Sequence, residues 1–173
     1  MCRGAVSNQD EINRVWEVIE KVGVCMMTTR FSKGLRARPL EARADIEKSV
    51  IWFLTDRRAA KDDEIEAFPE VCLTFVYPNQ KIYLSISGQA SASRDTKRAR
   101  SLWNEKQQVW WPGGPNDPNV LVIRFNPKRA EIWDGPASSA VAACEFAKAR
   151  ATGKKPNLGE KRKSTVKLKR LRN

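Results

Sequence analysis

The stretch Glu70–Ser93, EVCLTFVYPNQKIYLSISGQASAS, decides the fold class of this 173-residue chain. Its first part is rich in β-branched and aromatic side chains, and Pro78-Asn79 supplies a turn. In the part that follows, apolar residues alternate with polar ones, as in a strand with one buried face. The stretch therefore predicts two strands, Glu70–Tyr77 and Lys81–Ser93, joined by a short turn.

Further strand-like runs lie on both sides of this pair, whereas helical patterns are few and short. The other predicted strands are Gly23–Arg30, Leu35–Ala44, Val50–Thr55 and, as a hairpin around Asn126-Pro127, Asn119–Phe125 and Arg129–Asp134. The predicted helices cover Asn8–Val22, Ala59–Phe68, Asp95–Lys106 and Ser139–Ala151. Six or more strands with few helices favour an antiparallel barrel or sandwich.

The sequence contains no histidine. This absence excludes Ser-His-Asp and Cys-His catalytic arrangements and histidine-based metal sites. The four cysteines lie far apart without a Cys-x-x-Cys motif, so we expect idle thiols and no metal site. Chemistry at neutral pH would then depend on other residues or on a cofactor with its own reactivity.

The apolar runs are all much shorter than the ~20 residues that cross a bilayer. Residues Met1–Asp10 also lack the apolar core of a signal peptide. We therefore expect a cytoplasmic protein with no membrane partner.

The formal net charge of +12 is concentrated near the C-terminus, where residues 151–173 hold nine lysines and arginines and one glutamate. We therefore predict a folded domain over residues 1–152 and a basic, mobile tail over residues 153–173. Because the chain has no recognisable nucleic-acid-binding module and the remaining residues are only mildly basic, nucleic acid is disfavoured as a partner.

A bound phosphate would have to be held by side chains, because the sequence has no glycine-rich phosphate loop. Arg36 and Arg38, two positions apart on a strand, would present two guanidinium groups on one face, and Pro39 indicates an edge or an irregular point. Two solvated surface arginines are the simpler alternative.

A second candidate for anion binding follows the strand Val50–Thr55. A short helix is predicted a few residues later, and Lys61 lies in its first turn. A helix start and a lysine both favour an anion. A core strand followed by a solvated charge explains the same pattern.

Three tryptophans, Trp103, Trp110 and Trp111, cluster in or near one loop rich in proline and glycine. Exposing such a loop to water is unfavourable, so we expect it to cover a ligand or a partner subunit. Packing onto the barrel and stacking of single-stranded nucleic acid are the alternatives.

Taken in order, these motifs resemble the general stress protein branch of the pyridoxamine 5′-phosphate oxidase-like superfamily. The matching motifs are Arg36-x-Arg38-Pro39, Trp52-Phe53-x-Thr55, Lys61, Tyr83-x-Ser85-x-Ser87-Gly88, Leu102-Trp103-Asn104, Trp110-Trp111-Pro112-Gly113-Gly114, Asp117-Pro118 and Ala130-Glu131-x-Trp133-Asp134. The resemblance implies an FMN-binding split β-barrel, mainly antiparallel β of the Greek-key type with short helices. It also implies a homodimer with the flavin sites at the interface.

The resemblance also assigns residues to the flavin. Arg38 and Lys61 would hold the FMN phosphate, with Arg36 and Pro39 nearby. The strand Trp52, Phe53, Leu54, Thr55 would run along the flavin ring and offer backbone hydrogen bonds. Tyr83, Trp111 and Trp133 would come from the partner subunit or close the pocket.

Two positions depart from the family pattern near the predicted flavin site. Ala59 stands where serine is frequent, and Arg58 beside it would compensate. Arg43 stands where glutamine is common. Arg38 and Arg43 are five positions apart in one run, so on a regular strand they would point to opposite faces. We therefore expect Arg38 at the site and Arg43 in water.

A third departure concerns activity. True pyridoxamine phosphate oxidases carry an Arg-x-His motif after the last tryptophan, whereas Trp133-Asp134-Gly135-Pro136 is followed here by Ala137-Ser138-Ser139. The sequence therefore predicts an FMN-dependent oxidoreductase with an unidentified small-molecule redox partner, and not a true pyridoxamine phosphate oxidase. A module that stores or senses flavin without turnover is the alternative.

Overall fold

The helices and the strands up to Ser93 follow the order expected from the sequence, except that the run Leu35–Ala44 is divided between two strands. A computed structural model of the chain describes residues 8–59, 61–134, 139–154 and 163–168. The strands are β1 (Val24–Phe31), β2 (Gly34–Glu41), β3 (Arg43–Asp45), β4 (Val50–Asp56), β5 (Glu70–Tyr77), β6 (Ile82–Ser93), β7 (Val120–Asp134) and β8 (Lys163–Lys167). The α-helices are α1 (Asn8–Val22), α2 (Lys61–Ala67), α3 (Thr96–Leu102) and α4 (Ser139–Thr152).

All strands belong to one antiparallel sheet with the order β2-β1-β5-β6-β7-β4-β3, and β8 pairs with β7. The strands β2 and β3 lie at opposite ends of this order, although only Ala42 separates them in the chain. A sheet whose two ends are joined by one residue has to curl. The predicted antiparallel barrel with short helices is therefore confirmed.

The core fills the inside of the curled sheet. The alternation predicted for β6 is confirmed, because Leu84 and Ile86 are fully buried while Tyr83 and Ser87 face outward. The helix α1 contributes further buried apolar side chains to the same core, and Ile19 is one of them. Burial of each large aliphatic side chain contributes about 1.5–3 kcal/mol.

The predicted hairpin around Asn126-Pro127 is wrong, because β7 runs unbroken from Val120 to Asp134. The irregularity is instead a register shift between Ser87 and Gly88 on β6, where Pro127 lies opposite Gly88. A proline lacks the N–H of a regular ladder and is tolerated at such a bulge. A Cβ on Gly88 would lie 2.3 Å from the carbonyl oxygen of Asn126. The glycine therefore permits the close approach that keeps β7 continuous.

The expectation of a mobile tail is wrong for residues 163–168. Five of these residues form β8, which pairs with β7 from Arg129 to Trp133. Val166 and Leu168 are buried in the core, whereas Lys163 and Lys167 are exposed. The high charge of this segment conceals a short alternating pattern with one apolar face.

Replacement of Gly88 by alanine should destabilise the fold. The added Cβ meets backbone atoms that cannot turn away, and overpacking of this kind costs about 1–3 kcal/mol. Urea denaturation should therefore show a free energy of unfolding lower by about that amount. The neighbouring outward change Ser87→Ala should stay within about 0.5 kcal/mol of wild type. Equal stability of both variants would contradict this account of the bulge.

Candidate functional site

A cavity of about 420 Å³ opens beside the C-terminal end of β4. Its walls combine apolar, charged and indole side chains, a mixture that is typical of small-molecule sites, and its volume lies in their range. The lining residues are Pro39, Leu40, Glu41, Arg43, Leu54, Thr55, Asp56, Arg58, Lys61, Gln107, Trp110 and Trp111.

One wall of the cavity is a free strand edge. The short strand β3 pairs with β4 only from Val50 to Trp52, while β7 pairs with the other edge of β4 as far as Asp56. On the β3 side, no strand in the described ranges continues along residues 53–56. Backbone N–H and C=O groups are strong hydrogen-bonding groups, so this edge can serve a ligand in the cavity.

Two buried polar side chains in the cavity lack partners. Thr55 is 2% exposed, and its Oγ1 makes no hydrogen bond. Lys61 is 8% exposed, and no described residue forms an ion pair or hydrogen bond with its ammonium. Burial lowers the pKa of Lys61, and the charge of Arg38 lowers it further. Buried polar groups usually have partners, so this pair indicates a place for a bound anion or hydrogen-bond acceptor.

Arg36 and Arg38 share a face of β2, as predicted, but both bind Glu64 on α2. Glu64 accepts hydrogen bonds from Arg38 Nη1 at 2.7 Å, Arg38 Nη2 at 2.8 Å and Arg36 Nη1 at 3.0 Å. It also accepts one from Thr29 Oγ1 at 2.6 Å. The bonds from Arg38 are the main cause that lowers the pKa of Glu64 to about 2. This network fixes α2, and with it Lys61, against the barrel wall.

Asp56 attaches the tryptophan-rich loop to one side of the cavity. Its carboxylate accepts hydrogen bonds from Arg58 Nε at 2.9 Å, Arg58 Nη2 at 2.6 Å and Trp111 Nε1 at 3.2 Å. The bonds from Arg58 are the largest influence that lowers the pKa of Asp56 to about 2. Arg58 is therefore paired with a carboxylate of the cavity wall.

A matching contact attaches the same loop to another part of the cavity wall. Gln107 Nε2 donates to Glu41 Oε2 at 2.9 Å, and Arg43 Nη2 lies 3.2 Å from the same oxygen. Gln107 is also part of a capping box with Asn104 that starts the 3₁₀ helix Glu105–Val109. The loop is therefore held by two carboxylates that line the cavity.

The tryptophans of this loop have different environments. Trp111 is buried and packs against Trp103, with ring centroids 6.1 Å apart. Trp110 is 74% exposed although it lines the cavity. Trp111 therefore packs onto the barrel, one of the roles considered for the loop, and both Trp110 and Trp111 line the cavity.

Half of the predicted site residues line the cavity, namely Pro39, Leu54, Thr55, Arg58, Lys61 and Trp111. The other half lies elsewhere. Arg36 and Arg38 bind Glu64, Phe53 points into the core, and the Trp52 ring lies 4.4 Å from the Arg98 guanidinium carbon. Tyr83 and Trp133 lie opposite each other across β6 and β7, away from the cavity.

The expectation that Arg43 meets only water is wrong, because its side chain lines the cavity. The run Leu35–Ala44 is not one regular strand. It breaks at Ala42, where the chain leaves its partner β1 and joins β4, so the alternation of faces does not continue through it. Pro39 was the available signal of irregularity. No sequence pattern marked Glu41, Asp56 or Gln107 as lining residues.

Three of the four cysteines lie among the described residues. Cys25 is buried, and burial raises the pKa of its thiol to about 12. Cys72 and Cys144 are free. Cys2 and residues 135–138, which follow the last tryptophan, lie outside the described residues.

The curled antiparallel barrel, with a cavity at a free strand edge, defines a β-barrel protein with a candidate small-molecule site. The chain belongs to the pyridoxamine 5′-phosphate oxidase like family, whose model matches residues 10–157. The resemblance found in the sequence is therefore confirmed. Among the described residues, no helix combines the length and apolar character needed to cross a bilayer.

Known proteins of similar sequence or structure agree with this family. The Protein bli-3 of Neurospora crassa is 32% identical over 110 residues, which are 57% of this chain and 53% of that protein. The matched part is thus about half the length of that relative. A candidate general stress protein 26 from Jannaschia sp. CCS1 is 26% identical, with a TM-score of 0.69 over 92% of this chain and 99% of that one. The general stress FMN/FAD binding protein of Xanthomonas citri is 25% identical, with a TM-score of 0.66 over 76% of this chain and 92% of that one.

The network around Glu64 should make stability depend on pH. The pKa of Glu64 is lowered from 4.5 to about 2 in the folded protein, so its contribution is present above pH 4.5 and is lost as the pH falls towards 2. We expect Glu64→Gln to be less stable than wild type by on the order of 2–3 kcal/mol at pH 6.

Urea denaturation between pH 6 and pH 3 measures this effect. The stability difference between wild type and Glu64→Gln should shrink as the pH falls. The exposed neighbour Glu66 provides a matched control, and Glu66→Gln should change stability by less than about 0.5 kcal/mol. A difference that stays constant with pH would refute the assigned role of the ionised carboxylate.

Proposed function

We propose that this protein binds FMN, with the phosphate at the end of the cavity that Thr55 and Lys61 form. The observation that carries the proposal is that one cavity holds the buried Thr55 hydroxyl and the ammonium of the largely buried Lys61, neither of which has a partner among the described residues. Phosphate oxygens accept hydrogen bonds from both kinds of donor, and the ammonium supplies the opposite charge. The residues present therefore fit the phosphate.

The rest of the cavity suits a flat, polar-edged ring. The free edge of β4 offers backbone donors and acceptors at residues 53–56. Trp110 and Trp111 offer flat apolar surfaces on another wall. The relative from Xanthomonas citri, described as an FMN/FAD binding protein, adds support. We favour FMN over FAD because the sequence has no dinucleotide-binding fingerprint.

We further propose that the protein is a cytoplasmic FMN-dependent oxidoreductase that acts on an unidentified small molecule. When bound, the flavin supplies hydride chemistry, so the absence of histidine is no obstacle. The chain's own residues bind and orient the cofactor and limit its contact with water. True pyridoxamine phosphate oxidase activity is not proposed, because the sequence after Trp133 lacks Arg-x-His. Steady-state oxidation of NADH or NADPH would support turnover, whereas flavin binding without turnover with either donor would favour a storage or sensing module.

We also propose a homodimer with the flavin site at the interface. Tyr83 is 48% exposed and lies opposite Trp133 on the outer face of the sheet. Val76, which pairs with Tyr83, is also exposed. Because Tyr83 and Trp133 do not line the cavity of their own chain, a second copy would have to bring them to it.

FMN binding is tested directly by the colour and identity of the bound molecule. Purified protein should show flavin absorption bands, and mass spectrometry of the released chromophore should identify FMN. Lys61→Ala should raise the FMN dissociation constant roughly 10- to 150-fold, because a hydrogen bond to a charged group contributes about 1.5–3 kcal/mol. Thr55→Val should raise it roughly fivefold, as expected for a neutral hydrogen bond.

The exposed Lys97 on α3 provides the matched control, and Lys97→Ala should leave the dissociation constant within about twofold of wild type. Quenching of flavin fluorescence on titration measures all four proteins. Release of FAD or heme, or equal losses in Lys61→Ala and Lys97→Ala, would disprove the proposed site.

The dimer is tested by sedimentation velocity at micromolar concentration. Wild type should sediment as a dimer. Tyr83→Asp should raise the dissociation constant of the dimer roughly 30-fold, because loss of an interface hot spot removes about 2 kcal/mol of binding free energy. Lys97→Asp, away from this face, should sediment as wild type. A stable monomer with flavin bound would rule the dimer out.

A further inference from the structure

Arg43 is the cation in the cavity that the sequence did not assign to the site. Its side chain is 23% exposed and lines the cavity. Nη2 is buried and forms an ion pair with Glu41 Oε2 at 3.2 Å, without a hydrogen bond of good geometry. Glu41 accepts its hydrogen bond from Gln107 instead. Nε and Nη1 make no hydrogen bond to a described residue, so these two groups remain available as donors to a ligand in the cavity.

The register of β3 and β4 separates Arg43 from the proposed phosphate end. Arg43 pairs with Trp52, and Thr55 follows three residues later on β4. At about 3.3 Å per residue, the two backbone positions lie roughly 10 Å apart along the strand. The free edge of β4 begins beside Arg43 and runs towards Thr55 and Lys61. An elongated ligand can therefore reach both ends, whereas one phosphate would occupy the Lys61 end.

We propose that Arg43 binds the polar edge of the flavin ring and thereby raises the reduction potential of the bound flavin; this inference rests on the proposed function. The guanidinium donors can bond to ring carbonyl oxygens and nitrogens. Reduction of the ring by two electrons with uptake of one proton leaves one negative charge on it. A cation held beside the ring stabilises that charge, and charge close to the ring is one means by which proteins tune flavins.

The first test distinguishes contacts with the flavin ring from contacts with the phosphate. Fluorescence titration should compare FMN with riboflavin, which has the same ring and no phosphate. Arg43→Gln should weaken the binding of both flavins roughly tenfold, so that the ratio of the two dissociation constants stays within about twofold of wild type. Lys61→Ala should weaken the binding of FMN but not of riboflavin. The dissociation constant of riboflavin divided by that of FMN should therefore fall. The two cations are thereby assigned to opposite ends of the ligand.

The second test measures the reduction potential of bound FMN by titration with dithionite in the presence of a reference dye. If Arg43→Gln loses about tenfold more affinity for the reduced than for the oxidised flavin, the two-electron potential falls by about 30 mV. Arg43→Lys keeps the charge and should recover most of that potential. A residue with a merely structural role would change binding without this dependence on charge.

Lys48 supplies a matched control, because it is an exposed cation in the turn between β3 and β4. Lys48→Gln should change neither the dissociation constants nor the potential. The inference is overturned if Arg43→Gln weakens FMN but not riboflavin, if the potential is unchanged, or if Lys48→Gln has the same effects. A wild-type protein that binds neither flavin would overturn the proposed function and this inference together. Flavin binding that is sensitive to Lys61 but insensitive to Arg43 would overturn the inference alone.

Discussion

Closure of the barrel depends on Ala42, the single residue that connects β2 to β3. On one side of this residue the chain pairs with β1, and on the other it pairs with β4, at the opposite end of the sheet order. The N–H of Ala42 bonds to the carbonyl of Gly23 at 2.8 Å, which fixes this connection to the start of β1. Because β3 is only three residues long, it leaves the rest of the β4 edge open. The closure of the barrel and the free wall of the cavity therefore have the same origin.

Charge is distributed so that one cation near the cavity is left without a partner. Arg36 and Arg38 are paired with Glu64, Arg58 is paired with Asp56, and Arg43 is paired with Glu41. Lys61 has no such partner among the described residues and is buried as well. Lys61 therefore offers a positive charge that an anion in the cavity would pair with. The paired arginines position the cavity walls.

Features that depend on residues close together in the chain were predictable from the sequence. The β5–β6 pair follows from its turn and from the alternation on β6, and β5 was placed at its observed bounds. The proposed hairpin at Asn126-Pro127 failed because the relevant partner is Gly88, almost forty positions earlier in the chain. Local turn chemistry therefore suggested a reversal where a contact across the sheet permits a bulge.

The site was predictable to a similar extent. Thr55 and Lys61 were found because each lies at the end of a recognisable element. Glu64 was missed because its partners lie 26 and 28 positions away, and ion pairs at such separations leave no local pattern. Arg43 was misplaced because the break at Ala42 depends on which strands its two sides join. The motifs thus identified part of the cavity lining, whereas the pairing of side chains became visible only in the fold.

The pairing of β4 with β7 also determines when the cavity can exist during synthesis. Ile51 on β4 is paired with Phe125 on β7. The strand that carries Thr55 therefore cannot pair with β7 until those later residues have been synthesised. A nascent chain that has emerged only as far as β6 contains Thr55 and Lys61 but lacks the strand that holds β4 in the sheet. It also lacks the loop with Trp110 and Trp111. The cavity therefore forms only in the completed barrel, after β7 has been synthesised.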